Sequence, residues 1–123
     1  MKSIDHLLTA KFDRDYYHCV HFLIDAGKHL FNHDFSRCFL GLTGSLNTGL
    51  RPTKAGMGQV ESVDKPSDGT IMLALTLDNK HHVGLCYCDR VLHLPEAGPR
   101  FETLRSIKRR YKKVSFYDVK DFS

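Results

Sequence analysis

Residues 16–23 read Tyr-Tyr-His-Cys-Val-His-Phe-Leu, and Cys19 stands at the front of an apolar run that continues to residue 31. The apolar members of that run are Val20, Phe22, Leu23, Ile24, Ala26, Leu30 and Phe31. Their spacing places them on one broad face of a helix. The sequence therefore predicts a helix over about 19–31, buried on one side, with a thiol in its first turn.

The ends of this predicted helix carry recognisable signals. Asp13 or Asp15 is the expected N-terminal cap, and Gly27 or Asn32 is expected to mark where the helix weakens or stops. A thiol in the first turn would lie among unpaired backbone N–H groups, whose partial positive charge favours the nucleophilic thiolate. Because buried cysteines usually only pack, Cys19 is a candidate nucleophile with simple packing as the alternative.

Composition indicates one domain, residues 1–123, of an ordinary soluble type. Hydrophobic residues make up 41% and charged residues 26%, as in typical globular domains. The N-terminus shows no apolar core of a secretory signal, and no run is long enough for a membrane span. We therefore expect synthesis in a cytoplasm, with the four cysteines (Cys19, Cys38, Cys86 and Cys88) reduced.

The net charge of +4 comes largely from a late basic cluster. Its members are Arg100, Arg105, Lys108, Arg109, Arg110, Lys112 and Lys113. Such a cluster touches anionic polymers in some proteins, but more often it is a solvated helix face. Only Tyr111 interrupts it with an aromatic ring, so a base-stacking platform is poorly supported and nucleic acid is not an expected partner.

The order of the predicted elements is helices first and strands second, which is typical of an α+β domain. Before and after the helix we expect a short helix or arm over 1–11, a second helix over 34–46 and a glycine-rich loop over 41–65. The strand signals fall at 70–77, 81–88, 91–94 and 114–119, with a short helix at 99–110. Short turns at 78–80 and 89–90 make the first three strands an antiparallel meander.

Two histidines on adjacent predicted strands form the candidate base for Cys19. His82 and His93 fall roughly opposite each other around the turn at 89–90, close enough for their rings to touch. One imidazole then takes the thiol proton while the other fixes its tautomer. His81 is the competing choice, and strand alternation sends it to the opposite face from His82.

Cysteines and histidines also raise the question of zinc. Cys86 and Cys88, together with the histidines near Cys19, supply ligand types, but their spacings match no structural zinc motif. We therefore predict no metal and no other cofactor.

Three segments, in order, resemble the NlpC/P60 cysteine peptidases, which are papain-like enzymes that cut peptides of the bacterial cell wall. Residues 17–23 look like the nucleophile motif of that family. Residues 65–72, Lys-Pro-Ser-Asp-Gly-Thr-Ile-Met, resemble the turn that enters its first core strand. Residues 82–87 with 91–93 look like the strand pair that carries its base histidine and its polar third residue. A basic helix before the closing strand is similar to phage-encoded members.

The resemblance implies a papain-like fold, with N-terminal helices packed on an antiparallel sheet, and a Cys-His-His triad. Cys19 would be the nucleophile and an oxyanion donor through its N–H, His82 the general base and acid, and His93 the residue that orients His82. Tyr16 or Tyr17 would replace the tyrosine that many members bring to the site. His18 and His21 stand where the family most often has aspartate and glycine.

The function that follows from the resemblance is a cysteine peptidase or amidase acting on peptidoglycan stem peptides. Association with phage tail proteins, in a virion or on delivery to the cell wall, fits the phage-like features. The alternative is an inactive NlpC/P60-like module that serves a tail or delivery apparatus by binding alone, through residues 100–113.

Overall fold

The computed structural model describes residues 3–13, 16–36 and 60–119. A 3₁₀ turn at Leu7–Thr9 precedes helix α1, Cys19–Phe31, and a later helix, α2, spans Leu104–Arg110. The strands are β1 Val60–Val63, β2 Ile71–Leu75, β3 His81–Tyr87, β4 Arg90–His93, β5 Arg100–Thr103 and β6 Lys113–Val119. They form one antiparallel sheet in the order β1-β6-β2-β3-β4-β5. This arrangement confirms the predicted α+β class.

Helix α1 has the predicted bounds, but its N-terminal cap differs from the prediction. The Nδ1 atom of His18 accepts the Val20 N–H at 3.4 Å, and the His18 N–H donates to Nδ1 of His21 at 3.2 Å. An imidazole nitrogen thus serves as the acceptor that a carboxylate was expected to supply. Asp13 instead accepts the N–H of Tyr16, and residue 15 lies outside the described ranges.

The predicted end of α1 is confirmed at Asn32. This residue adopts the left-handed conformation with φ of 52°, and its N–H reaches the carbonyls of Gly27 and Lys28. Asparagine tolerates this conformation better than most residues, which explains why the helix stops there.

The meander is confirmed, with one change in its second turn. Cys88 and Asp89, rather than residues 89–90, occupy the two turn positions, and their φ values are 52° and 61°. Such a two-residue turn with both φ values positive matches the twist of the flanking strands, and it pairs Tyr87 with Arg90. The cross-strand register is therefore displaced by two residues from the expected one.

Two other predictions were wrong where helix and strand patterns compete. The segment predicted as helix 99–110 begins with strand β5, and α2 starts only at Leu104, where the Thr103 hydroxyl caps the Ser106 N–H. Part of the predicted loop over 41–65 is strand β1, and residues 41–59 lie outside the described part. The predicted second helix, 34–46, is described only to residue 36.

The sheet has an apolar layer on each face. Helix α1 covers one face and packs Val20, Phe22 and Leu23 against residues of β3 and β4 such as Val83 and Leu92. Helix α2 covers the other face through Ile107; the strand residues there are Met72, Ala74, Cys86, Val91 and Phe116. Within the described ranges, no helix has the length and apolar character needed to cross a membrane.

Candidate active site

His82 and His93 are in direct contact on the sheet. The two ring nitrogens, His82 Nε2 and His93 Nδ1, lie 2.8 Å apart, and both rings are buried. His93 is paired with Gly84, so the histidines are diagonal neighbours on one face rather than directly opposite. Gly84 leaves the space for this, since a Cβ there would lie 3.0 Å from His93 Cβ. The predicted contact is therefore present despite the displaced register.

The contact continues from His93 to a carboxylate. His93 Nε2 lies 2.6 Å from Glu102 Oε2, and the other oxygen of Glu102 accepts from Arg110 Nη2 at 2.7 Å and from the Ser106 hydroxyl at 3.1 Å. Burial raises the pKa of Glu102, but the hydrogen bonds and charges of these partners outweigh it and leave the pKa below its ordinary value. Glu102 is therefore a carboxylate acceptor.

This chain of contacts fixes the tautomers of both rings. A carboxylate can only accept, so His93 carries its proton on Nε2 and uses Nδ1 as an acceptor. His82 then donates from Nε2 to His93. In the neutral ring this leaves the Nδ1 atom of His82 without a proton, which is the state required of a general base.

His82 is neutral at rest. Burial, the neighbouring His93 and the charge of Arg110 together lower its pKa to about 3. Burial also lowers the pKa of His93, although the bond to Glu102 opposes that effect. At a pH near neutrality the ring is therefore uncharged and keeps one unprotonated nitrogen.

Two observations bear on the position of Cys19 relative to strand β3. The backbone N–H of Val83, the residue that follows His82, contacts the Cys19 thiol and opposes the effect of burial on the thiol pKa. Tyr111 stacks its ring on His82, with centroids 5.5 Å apart. The pKa of Tyr111 is raised mainly by burial and also by its electrostatic interaction with Cys19. The first turn of α1 thus lies near Val83 of strand β3, next in sequence to His82.

The expected depression of the Cys19 pKa is wrong for the resting structure. Burial raises the pKa of the thiol to about 11, more than the N–H groups of Val83, Val20 and Cys19 itself lower it. Only 1% of Cys19 is exposed, so the loss of hydration outweighs the helix terminus. Thiol and imidazole are both neutral here, so the pair does not rest as thiolate and imidazolium.

A cavity of about 230 Å³ adjoins His82. His82 and Tyr111 form part of its wall, and Phe12 and Leu94 contribute apolar surface. Polar groups at its border include Lys80. The cavity therefore reaches the ring of His82.

The two tyrosines proposed for the site have other surroundings. The Tyr17 hydroxyl donates to Asp25 at 2.6 Å and the Tyr17 ring stacks on His21, so both contacts are with residues of α1. Tyr16 is 81% exposed. Within the described part of the chain, neither tyrosine forms a hydrogen bond or ring contact with His82 or His93.

Sequence reasoning missed Glu102 and Tyr111. Glu102 lies in the stretch that was assigned to a helix, where its side chain had no reason to point at His93. Read as a strand, Arg100-Phe101-Glu102-Thr103 sends Phe101 and Glu102 to opposite faces of the sheet, and this was the available signal. Tyr111 was noted only as an aromatic residue among basic ones.

Among the described residues, no group of three or more histidine, cysteine, aspartate or glutamate side chains is arranged to hold a metal ion. Comparison with known proteins gives no assignment either. Neither a protein-family model nor a curated protein matches the chain.

Proposed function

We propose that the chain is a cysteine peptidase or amidase that hydrolyses peptide bonds in peptidoglycan stem peptides. The observation that carries the proposal is the tautomer of His82, which leaves its Nδ1 unprotonated, on the residue that precedes Val83, whose N–H contacts the Cys19 thiol. The finer fold proposal, a papain-like NlpC/P60 domain of a phage or prophage type, rests on the sequence motifs. A tail-associated location is part of the same proposal.

The reaction begins with general-base catalysis, because both partners rest neutral. His82 removes the thiol proton as sulfur attacks the scissile carbonyl carbon, which forms a carbon–sulfur bond and an oxyanion. The N–H of Cys19, at the N-terminus of α1, is the proposed donor to that oxyanion. His82 becomes an imidazolium that remains hydrogen-bonded to His93.

The second half of the reaction returns the enzyme to its starting state. The imidazolium protonates the leaving nitrogen, the carbon–nitrogen bond breaks, and the amine departs from a thioester on Cys19. His82 then takes a proton from water as the water oxygen attacks the thioester. The carbon–sulfur bond breaks, the carboxyl product leaves, and the His82 imidazolium returns its proton to the Cys19 sulfur.

The test is hydrolysis of isolated stem peptides and muropeptides by the full chain, with new amines and carboxyls identified by mass spectrometry. We expect cleavage by the wild type and no cleavage by Cys19→Ala or His82→Ala. Cys88→Ser is the matched control, because Cys88 is exposed and lies in a turn, and it should keep full activity.

Cleavage by Cys19→Ala at the wild-type rate would overturn the proposed nucleophile. A folded wild type that cleaves none of these substrates would overturn the proposed activity. That second result would favour the binding module, which is tested by salt-sensitive binding to anionic polymers through residues 100–113.

A further inference from the structure

We propose that Glu102 is a positioning residue of the site, whose carboxylate holds His93, and through it His82, in the one pair of tautomers that leaves the base unprotonated. This inference rests on the proposed function and adds a fourth member to the Cys-His-His arrangement. Glu102 does not touch the thiol; it acts through His93.

Both oxygens of Glu102 are engaged, and its side chain is only 11% exposed. One oxygen contacts His93, and the other is held by Arg110 and Ser106 from helix α2. The carboxylate therefore has a fixed orientation toward the ring. Strand β5 supplies Glu102, and helix α2 supplies the Ser106 and Arg110 side chains that hold its carboxylate.

The carboxylate decides between two arrangements of the histidine pair. With Glu102 accepting, the proton of His93 lies on Nε2 and the proton of His82 lies on Nε2. Without that acceptor, His93 can carry its proton on Nδ1 and donate it to His82 Nε2. The proton of His82 would then lie on Nδ1, where the ring cannot accept one from the Cys19 thiol.

Glu102 also bears on the charge that develops during the reaction. When His82 accepts the thiol proton, a positive charge forms on a ring that is buried beside the cation of Arg110. The Glu102 carboxylate, which is separated from His82 only by the ring of His93, stabilises this charge while its own position stays fixed. The contact with His93, the Ser106 hydroxyl and the charge of Arg110 outweigh burial and keep the pKa of the carboxyl low, so the proton stays on the histidines.

The decisive measurement is nitrogen NMR of the imidazole rings in the wild type and in Glu102→Gln, followed by kinetics on the cleaved stem peptide. We expect His82 to be unprotonated at Nδ1 in the wild type and to shift toward the Nδ1-protonated form in the variant. We expect kcat to fall by about 10-fold to 100-fold, with KM changed by less than about threefold, since the hydrogen bond from His93 to Glu102 does not involve the substrate.

Two further variants separate positioning from simple stabilisation. Glu61→Gln removes an exposed carboxylate on the edge strand β1 and should leave both tautomers and kcat unchanged. Glu102→Asp keeps the charge and should restore part of the lost kcat. If Glu102→Gln does not fold, the same comparison is made on Glu102→Asp, where a smaller shift of the same sign is expected.

An unchanged His82 tautomer in the folded Glu102 variant would overturn the inference, as would an unchanged kcat in an active enzyme. A loss of stability alone, with the tautomer retained, would assign Glu102 a structural role instead. The NMR readout does not depend on activity. Failure of the proposed peptidase function is therefore distinguishable from failure of the positioning role.

Discussion

At the scale of a single residue, His82 is a buried group to which the proposed mechanism assigns the role of proton acceptor. The hydrogen bond from His82 Nε2 to His93 satisfies the N–H group of the neutral ring, so His82 is buried without an oppositely charged partner. The cost of that burial appears only when the ring must gain a proton. Stability measured against pH should therefore report on this residue.

The first prediction is that stability falls as the pH is lowered toward the folded pKa of His82. The folded pKa is about 3, while an unfolded histidine titrates near 6.5. Between these values the unfolded chain binds a proton that the folded chain does not, so the stabilising contribution is complete above about pH 6.5 and is lost as the pH falls. We expect His82 to contribute up to about 1.4 kcal/mol per pH unit.

Urea unfolding at several pH values between about 7 and 4 tests this, with His82→Gln as the comparison. The variant should show the shallower dependence of unfolding free energy on pH. Equal slopes for the two proteins would contradict the buried neutral imidazole.

Gly84 is the second residue whose identity the site requires. A Cβ at this position would lie 2.6 Å from Val91 Cγ1 and 3.0 Å from His93 Cβ. Gly84→Ala must therefore move β4, and we expect a loss of about 1–3 kcal/mol in unfolding free energy together with a displaced His93.

Gly98→Ala serves as the control for this substitution. Gly98 has φ of 122° with no atom within 4 Å of an added Cβ, so its cost is backbone strain alone. Peptide cleavage per folded molecule should drop in Gly84→Ala and stay unchanged in Gly98→Ala. A Gly84→Ala enzyme with wild-type cleavage would show that the diagonal packing of His93 is not needed.

The N-terminus of α1 is the element that presents Cys19, and two histidines cap it. His18 accepts from the Val20 N–H, and His21 accepts from the His18 N–H. The sequence predicted an aspartate cap, because carboxylates are common at this position. Imidazole nitrogens accept hydrogen bonds from the same unpaired N–H groups of the first helical turn.

We predict that His18→Ala lowers the unfolding free energy by about 0.5–2 kcal/mol, because the Val20 N–H loses its acceptor. His18→Asn should recover part of this loss, since an amide oxygen reaches the same N–H group. Denaturant unfolding measures both changes. If asparagine were no better than alanine, packing of the buried His18 ring, and not capping, would explain the loss.

The elements that sequence could not assign are those whose local pattern fits two structures. Phe101, Leu104 and Ile107 share a face if read as one helix, yet Phe101 packs on the α1 side of the sheet and Ile107 on the α2 side. Strand β1 gave a weak signal because it is short and depends on β6, which is distant in sequence. In both cases the partner strand, not the local pattern, decides the structure.

The whole molecule brings together parts that are far apart in the sequence. The helix that carries Cys19, the strand that carries His82 and the helix that anchors Glu102 meet around one sheet. Periodicity was sufficient for α1 and the meander, and turn residues located the histidine pair to within two positions. The electrostatics could not be predicted, because the pKa of Cys19 depends on burial that only the assembled fold creates.

The central claim is that the Cys19 thiol is the nucleophile and that His82 activates it. The most direct test is capture by a stem-peptide analogue whose terminal carboxyl is replaced by a diazomethyl ketone, with the modified cysteine located by mass spectrometry. The account predicts an adduct on Cys19 that excess stem peptide prevents and that His82→Ala slows by at least about tenfold. An adduct confined to another cysteine, or formed on Cys19 at the same rate without His82, would contradict it.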